Sequence, residues 1–259
     1  MRVPDDLQGL TERLERGGFV AAGEEAAELL ARAAGDRALL DAMVARRETG
    51  EPLAWITGTA PFHGLWIRVD AGVYVPRWQT ELIAERAIAR LADGGLAIDV
   101  CTGSGALAKA LAHARPHARV LATDVDERAV ACARANGVEV YAGDLFAPLP
   151  GGLAGRVDLV TGVVPYVPTP DLPLLQRDTF AFETALAYDG GADGTALLRR
   201  ALAGAAALLR PGGALVLELG GEQARALADE LRRLGYREPR TIRDEDGDAR
   251  GIEATFAPR

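Results

Sequence analysis

The 259-residue chain is short of cysteine, histidine, basic residues and long uncharged runs, and each shortage removes a class of protein. Two cysteines, Cys101 and Cys132, neither in a Cys-x-x-Cys pair, are too few for a disulfide framework and suit a reducing compartment. Of the three histidines, His113 and His117 stand four apart, but Pro116 interrupts any helix between them, so they read as loop residues and no metal is expected. Lys and Arg number 29 against 37 Asp and Glu, which argues against a broad phosphate-binding surface and hence against a direct nucleic-acid partner. No stretch reaches the roughly 18 uncharged apolar residues of a membrane span. The opening "MRVPDDLQGLTERLERGG" carries acids where a signal peptide needs an apolar core, so the expectation is a cytoplasmic protein with no membrane partner. "DEDGDARGIE" has Ala249 where a calcium loop needs glycine, and predicts a charged hairpin turn.

What is present is a chain 49% apolar, long enough for one sizeable core and a smaller unit beside it. Residues 1–50 read as helices: Leu7, Leu10 and Leu14, then Ala26, Leu29, Leu30 and Ala33, then Leu39, Leu40, Met43 and Val44 recur at spacings of three and four. Gly17, Gly18, Gly35 and Gly50 separate them. From 51 to 75 the pattern becomes short extended pieces, "LAWITG" and "LWIRVDAGVYVP", with turns at Gly58 and Gly64; this predicts a hairpin linker. Trp55, Trp66 and Trp78 gather here and predict an interface core between units, with stacking on a bound molecule as the alternative.

Residues 76–259 alternate strand and helix. Strands are predicted at 96–100, 119–125, 138–143, 157–163 and 213–219, with helices such as "GALAKALAHA" and "DERAVACARAN" between them. That alternation implies an α/β fold with a doubly wound parallel sheet, because each parallel return needs a crossover. "PRTIRD" and "RGIEATFA" predict a terminal antiparallel pair, and "DGGADG" a turn leading into a helix.

In an open parallel sheet the ligand lies beyond the carboxyl ends of the strands. The first strand delivers Asp99, Val100, Cys101, Thr102, Gly103, Ser104 and Gly105, where glycines admit close backbone approach and the next helix offers free amides. The second ends at Asp124, 21 residues after Gly103, where a carboxylate can take both hydroxyls of a ribose; the third ends near Gly143 and Asp144. Gly103, Gly105 and Ala108 also satisfy the GxGxxA form of the dinucleotide fingerprint, so the loop alone does not choose between a nicotinamide nucleotide and S-adenosylmethionine. Asp99 and Asp144 favour the latter: its sulfonium and amino groups are cationic, whereas a pyrophosphate is repelled by carboxylates. Asp124 and Asp144 also read as ordinary helix caps.

"EPLAWITGTAPFHGL", "VYVPRWQTE", "DVCTGSGALAKAL", "VVPYVP" and "DGGADGTALLRRAL", in that order, resemble the HemK/PrmC family of protein-(glutamine-N5) methyltransferases, and within it a shorter actinobacterial-type branch. The resemblance runs from about Glu24 to the C-terminus. It implies a class I S-adenosylmethionine methyltransferase, with a Rossmann-like seven-stranded sheet, a small N-terminal helical domain for substrate recognition and a β-hairpin linker. The implied acceptor is the glutamine of the GGQ loop in a peptide chain release factor. It also implies that Asp99, Thr102, Gly103 and Gly105 flank the methionine part of the cofactor, with Cys101 packed beside it. Asp124 with Val125 holds the ribose, and Asp144 with Leu145 neighbours the adenine. Arg77, Trp78 and Glu81 lie at the acceptor's entrance.

One motif departs from the family. Members end the fourth strand with Asn-Pro-Pro-Tyr, or Asn-Val-Pro-Tyr in the shorter branch; this chain has Val163, Val164, Pro165 and Tyr166. In the family the asparagine oxygen and the next backbone carbonyl accept both hydrogens of the substrate amide. Val163 has no acceptor, which predicts retained cofactor binding with a changed acceptor, such as a small molecule of secondary metabolism, or a homologue that binds without transfer. The two valines read either as core packing or as a pocket wall.

Overall fold

The structure, a computed structural model, describes residues 3–175 and 182–258. Helices α1 (Val3–Arg16), α2 (Ala22–Ala33) and α3 (Arg37–Glu48) pack Leu10, Leu14, Ala26, Leu29, Leu40, Met43 and Val44 into one cluster, the residues the three- and four-residue spacing selects. Asp36 caps α3 by accepting from the Leu39 amide at 3.0 Å. The buried Arg47 pairs with Glu25 at 2.6 Å and lies 3.9 Å from the centre of the Phe19 ring, fixing α3 on α2.

"LAWITG" is not extended. Residues Leu53–Thr57 form a short helix, α4, ended by Gly58 at φ 85°. Ile56 packs into the helical cluster and Ala54 into the core beneath the sheet, so burial on two sides overrides the local preference of this stretch for a strand. The hairpin follows as β1 (Thr59–Phe62) and β2 (Leu65–Arg68), turned by His63 and Gly64 at φ 48° and 75°, the left-handed pair a two-residue hairpin loop requires. Trp66 and Trp78 do not form an interface core: they are 62% and 72% exposed. On β2 the alternation points Ile67 inward and Trp66 outward, and Trp78 begins a surface turn whose last residue, Thr80, is the one buried. Trp55 alone is anchored, its indole donating to the Val73 carbonyl at 2.9 Å.

The main sheet has seven strands in the order β5 (Glu139–Ala142), β4 (Arg119–Asp124), β3 (Leu96–Val100), β6 (Val157–Gly162), β7 (Leu209–Glu218), β9 (Ala249–Phe256), β8 (Tyr236–Arg243). The pairs from β5 to β7 are parallel, and β9 runs antiparallel to both β7 and β8. Central strands are apolar on both faces. Ala97, Leu159, Ala214 and Val216 meet one core with α5 (Glu81–Arg90), α6 (Ala106–Ala114) and α7 (Glu127–Ala135); Ile98, Val160, Leu215 and Leu217 meet the other with α8 (Ala196–Leu208). Strand β7 starts at Leu209 rather than 213, because a register shift opposite Val157 and Leu159 carries Pro211, Gly212 and Gly213 without ending the ladder. The chain reverses direction across the sheet on either side of β3, and that switch point places a crevice at its carboxyl end. Among the described residues no helix is long and apolar enough to cross a membrane.

Candidate active site

A cavity opens at that crevice. Its lining combines the loop after β3 (Asp99, Cys101, Thr102, Gly103, Ser104), the end of β4 (Asp124, Val125), Val163 and Pro165 after β6, Gly72, Val73, Tyr74 and Pro76 of the strap 72–77, Thr80, and Thr184, Leu186 and Ala187. Cys101, Gly103 and Gly105 all have positive φ, which folds the loop into a tight arch over the strand. Its two glycines differ in purpose. A Cβ on Gly103 would meet Tyr74 at 3.9 Å, an ordinary contact, and the Gly103 amide donates to Asp124 at 2.8 Å. A Cβ on Gly105 would meet Val138 and Ala133 of the next unit at 2.9 and 3.1 Å, so Gly105 permits packing against α7 and does not line the cavity.

Among the described residues, charge in the cavity is one-signed: Asp99, Asp124 and Asp126 line it and no described Lys, Arg or His does. Asp126 is already paired with Arg128 at 2.8 Å. Asp99 is 1% exposed; its Oδ2 accepts from the Thr102 hydroxyl at 2.5 Å, while Oδ1 has no partner. Burial pushes the Asp99 carboxyl up to about 7, against the downward pull of the Thr102 hydrogen bond. Asp124 is also raised by burial, although the Asp126 and Gly103 amides hold its two oxygens. Burial, with these acids nearby, pushes the Cys101 thiol far up, so it stays protonated and packs as a small apolar group.

The corner after β6 divides its residues sharply. Val163 lines the cavity, whereas Val164 is fully buried in the core under α8. Tyr166 does not line this cavity. Its hydroxyl donates to Glu218 at 3.1 Å and its carbonyl accepts from Gln223 at 2.6 Å. A Cβ on Gly194 would fall 2.2 Å from that carbonyl, so the "DGGADG" turn closes directly on Tyr166. The second oxygen of Glu218 accepts from Thr80 at 2.6 Å.

The other residues the resemblance selects lie elsewhere. Arg77 donates to Glu183 at 2.6 Å and to the Tyr188 hydroxyl at 3.0 Å, and sits 5.0 Å from the Tyr74 ring centre. Glu183 also accepts from the Tyr188 hydroxyl and from the Val75 amide, the latter at 2.8 Å. Arg77 and Trp78 face a separate cleft shared with Glu28, Pro52 and Leu53 beside the N-terminal helices, so the strap divides that cleft from the acidic cavity. Glu81 accepts from the His63 amide at 2.9 Å and fixes the hairpin turn instead of facing the cavity. Asp144 is exposed and pairs with Arg200, and Leu145 is buried in the core at φ 45°; neither lines the cavity. Sequence reasoning missed Tyr74, Thr80, Glu183 and Glu218. Glu183 meets Arg77 across 106 positions, and no local pattern encodes such a pairing.

A switch-point cavity lined by carboxylates and bare backbone, on a sheet of this order, defines an S-adenosylmethionine-dependent methyltransferase of class I. A methyltransferase-domain family model matches residues 97–181. The ribosomal protein L11 methylase of Lactobacillus delbrueckii subsp. bulgaricus shares the fold: TM-score 0.51 at 19% identity, over 74% of this chain and 85% of that one. So does the 16S rRNA N2 G1207 methyltransferase of T. thermophilus, solved with AdoMet and guanosine, with TM-score 0.52 at 17% identity over 78% and 45%. The release factor glutamine methyltransferase of Moorella thermoacetica is 40% identical over 213 residues, 78% of this chain and 74% of that protein. That of Geobacter sulfurreducens is 38% identical over 211 residues, 79% and 73%. The chain belongs to the family of release factor glutamine methyltransferases.

Proposed function

We propose that this member transfers a methyl group from S-adenosylmethionine to a nitrogen bearing fewer hydrogens than a primary carboxamide, on a small molecule in the cytoplasm. The observation that carries this reading is Val163, which lines the cavity at the position of the family's asparagine and offers it no side-chain acceptor.

The cavity suits the cofactor on its own chemistry: among the described residues Asp99 Oδ1 is the one unpartnered buried side-chain atom that belongs to a lining residue, and a buried acceptor of negative charge matches an ammonium group. Asp99, Thr102 and Gly103 would hold the methionine end, and Asp124 with Val125 the ribose. When bound, S-adenosylmethionine supplies an electrophilic methyl group on a positively charged sulfur. Val163 and Pro165 then exclude water from the acceptor side, and Val164, locked in the core, keeps the corner rigid. Positioning of this kind supplies much of the rate in a transfer that needs little beyond in-line approach. Arg77, Trp78 and the N-terminal helices, on the far side of the strap, would meet the body of the acceptor.

A second reading keeps the glutamine of a release factor as acceptor, supported by the 40% identity to a protein of that name. One unpaired amide hydrogen costs about 1–3 kcal/mol, equivalent to roughly tenfold to a few hundredfold in rate. Wild-type protein and Val163→Asn are compared on a full-length release factor, reading S-adenosylhomocysteine and the mass of the GGQ peptide. A changed acceptor predicts trace methylation by the wild type and a gain of about tenfold or more in the variant. Strong wild-type activity with no gain refutes it. Cofactor binding by calorimetry with no product from any acceptor nitrogen would instead identify a binding-only homologue.

A further inference from the structure

Four acids are buried among the described residues: Asp99, Glu183, Glu218 and Glu253. Glu183 pairs with Arg77, and Glu253 with Arg86 and Arg90. Asp99 lines the cavity, and its Oδ1 has no hydrogen-bond partner among the described residues. Glu218, 6% exposed at the end of β7, has no cation within ion-pair distance among the described residues and is held by two neutral hydroxyls, Thr80 at 2.6 Å and Tyr166 at 3.1 Å. The charges that reach it act from farther off and already have partners: Arg77 on the strap, bound to Glu183, and Arg250 on β9, bound to Asp244 at 2.6 Å. The phenol of Tyr74 also lies within its field. A buried carboxylate without an ion partner costs stability, and the two donating hydroxyls offset that burial only in part.

Of the two residues, Thr80 lines the cavity and Tyr166 does not. We propose that Thr80 and Glu218 form the route by which the acceptor nitrogen loses its proton. The inference rests on the methyl-transfer reading above. As the nitrogen–carbon bond forms, sulfur keeps the electron pair of the breaking sulfur–carbon bond and the nitrogen becomes cationic. The nitrogen–hydrogen bond then breaks towards Thr80 Oγ1, whose own hydrogen passes to Glu218 Oε2, so one proton is taken up and no other reactant is needed. Burial raises the Glu218 carboxyl above its ordinary range, which makes it a better proton acceptor than a solvated carboxylate. Tyr166 donates to the other oxygen and fixes the carboxyl plane, a positioning role that explains why its hydroxyl points away from the cavity.

The test needs no acceptor. Sinefungin carries an amine where S-adenosylmethionine carries its sulfonium methyl, so it sets an ammonium where the proton must leave; S-adenosylhomocysteine has no charge there. The ratio of the two dissociation constants is measured by calorimetry on the full chain. The wild type is expected to prefer sinefungin, with the preference falling tenfold or more in Glu218→Gln and Thr80→Val and surviving in Thr80→Ser. In wild-type protein carrying 13C-glutamate, sinefungin is expected to abolish a protonated-carboxyl infrared band that S-adenosylhomocysteine leaves in place, a readout that stands even if a variant misfolds. An unchanged ratio in Glu218→Gln with no band lost overturns the proposal alone. Failure of the wild type to bind S-adenosylhomocysteine overturns the cofactor reading, and this inference with it.

Discussion

Asp99→Asn separates what the cavity does for binding from what it costs the fold. In the folded chain burial holds the Asp99 carboxyl at about 7, against about 3.9 for an unfolded aspartate. The folded state therefore grips the proton more tightly, and the ligand-free protein loses stability as pH rises from about 4 until the loss is complete above about 7. Roughly three pH units at 1.36 kcal/mol each give about 4 kcal/mol, an upper figure. An asparagine has the same shape, can keep the Thr102 hydrogen bond and does not titrate. Ligand-free Asp99→Asn is thus expected to match the wild type only below about pH 4 and to exceed it at pH 8, with a midpoint of thermal unfolding there higher by on the order of 10 °C. In exchange, S-adenosylmethionine loses a charge-assisted contact of about 1.5–3 kcal/mol, a weakening of about ten- to a hundredfold by calorimetry. A variant no more stable than the wild type at pH 8, or one that binds the cofactor equally well, refutes the assignment of the Oδ1 atom.

Two further outcomes follow from buried groups. Glu183→Ala strands Arg77, the Tyr188 hydroxyl and the Val75 amide together, and because the Arg77 side chain keeps 33% exposure the loss is set at the low end for a buried pair, about 3 kcal/mol in urea unfolding. The Arg77→Met, Glu183→Met double variant should lose less; equal or greater loss in the double, or under 1 kcal/mol (roughly) in the single, contradicts the strap's dependence on this pair. The Cys101 thiol, pushed up by burial, is expected to resist iodoacetamide at pH 8 far longer than a free thiol, by mass spectrometry, and rapid labelling of Cys101 in native protein would show that the loop does not enclose it.

The sheet was legible in the sequence because each of its strands is a short run bounded by turn residues, and period two distributes Ala97, Ile98, Leu159 and Val160 to opposite cores. Strand ends then locate the cavity, so Asp99, Thr102, Gly103, Asp124, Val125, Val163 and Pro165 converge on it as the strand-end rule requires. The short helix α4 was not legible, because two different cores stabilise it and neither is visible from five residues. The positions carried over from the family at Arg77, Trp78, Glu81, Asp144, Leu145 and Tyr166 lie off the cavity. Glu183, His63, Arg200 and Glu218 engage Arg77, Glu81, Asp144 and Tyr166, and each comes from a segment distant in sequence.

Under the proposed function, that division lets an acceptor change while the cofactor's site is retained. The carboxylates stand at the ends of β3 and β4, and the acceptor corner is built from β6, β7 and the strap. Within that corner Val164 is fixed by the core, Tyr166 by Glu218 and Gln223, and the turn at Gly194 by the Tyr166 backbone, so altering any of them disturbs packing. Val163 alone is both on the cavity wall and only half-buried, with no side-chain hydrogen bond to lose. On the proposed reading, substitution there removes an amide acceptor at little cost to the fold, so residue 163 is where one methyl acceptor can be exchanged for another without rebuilding the enzyme.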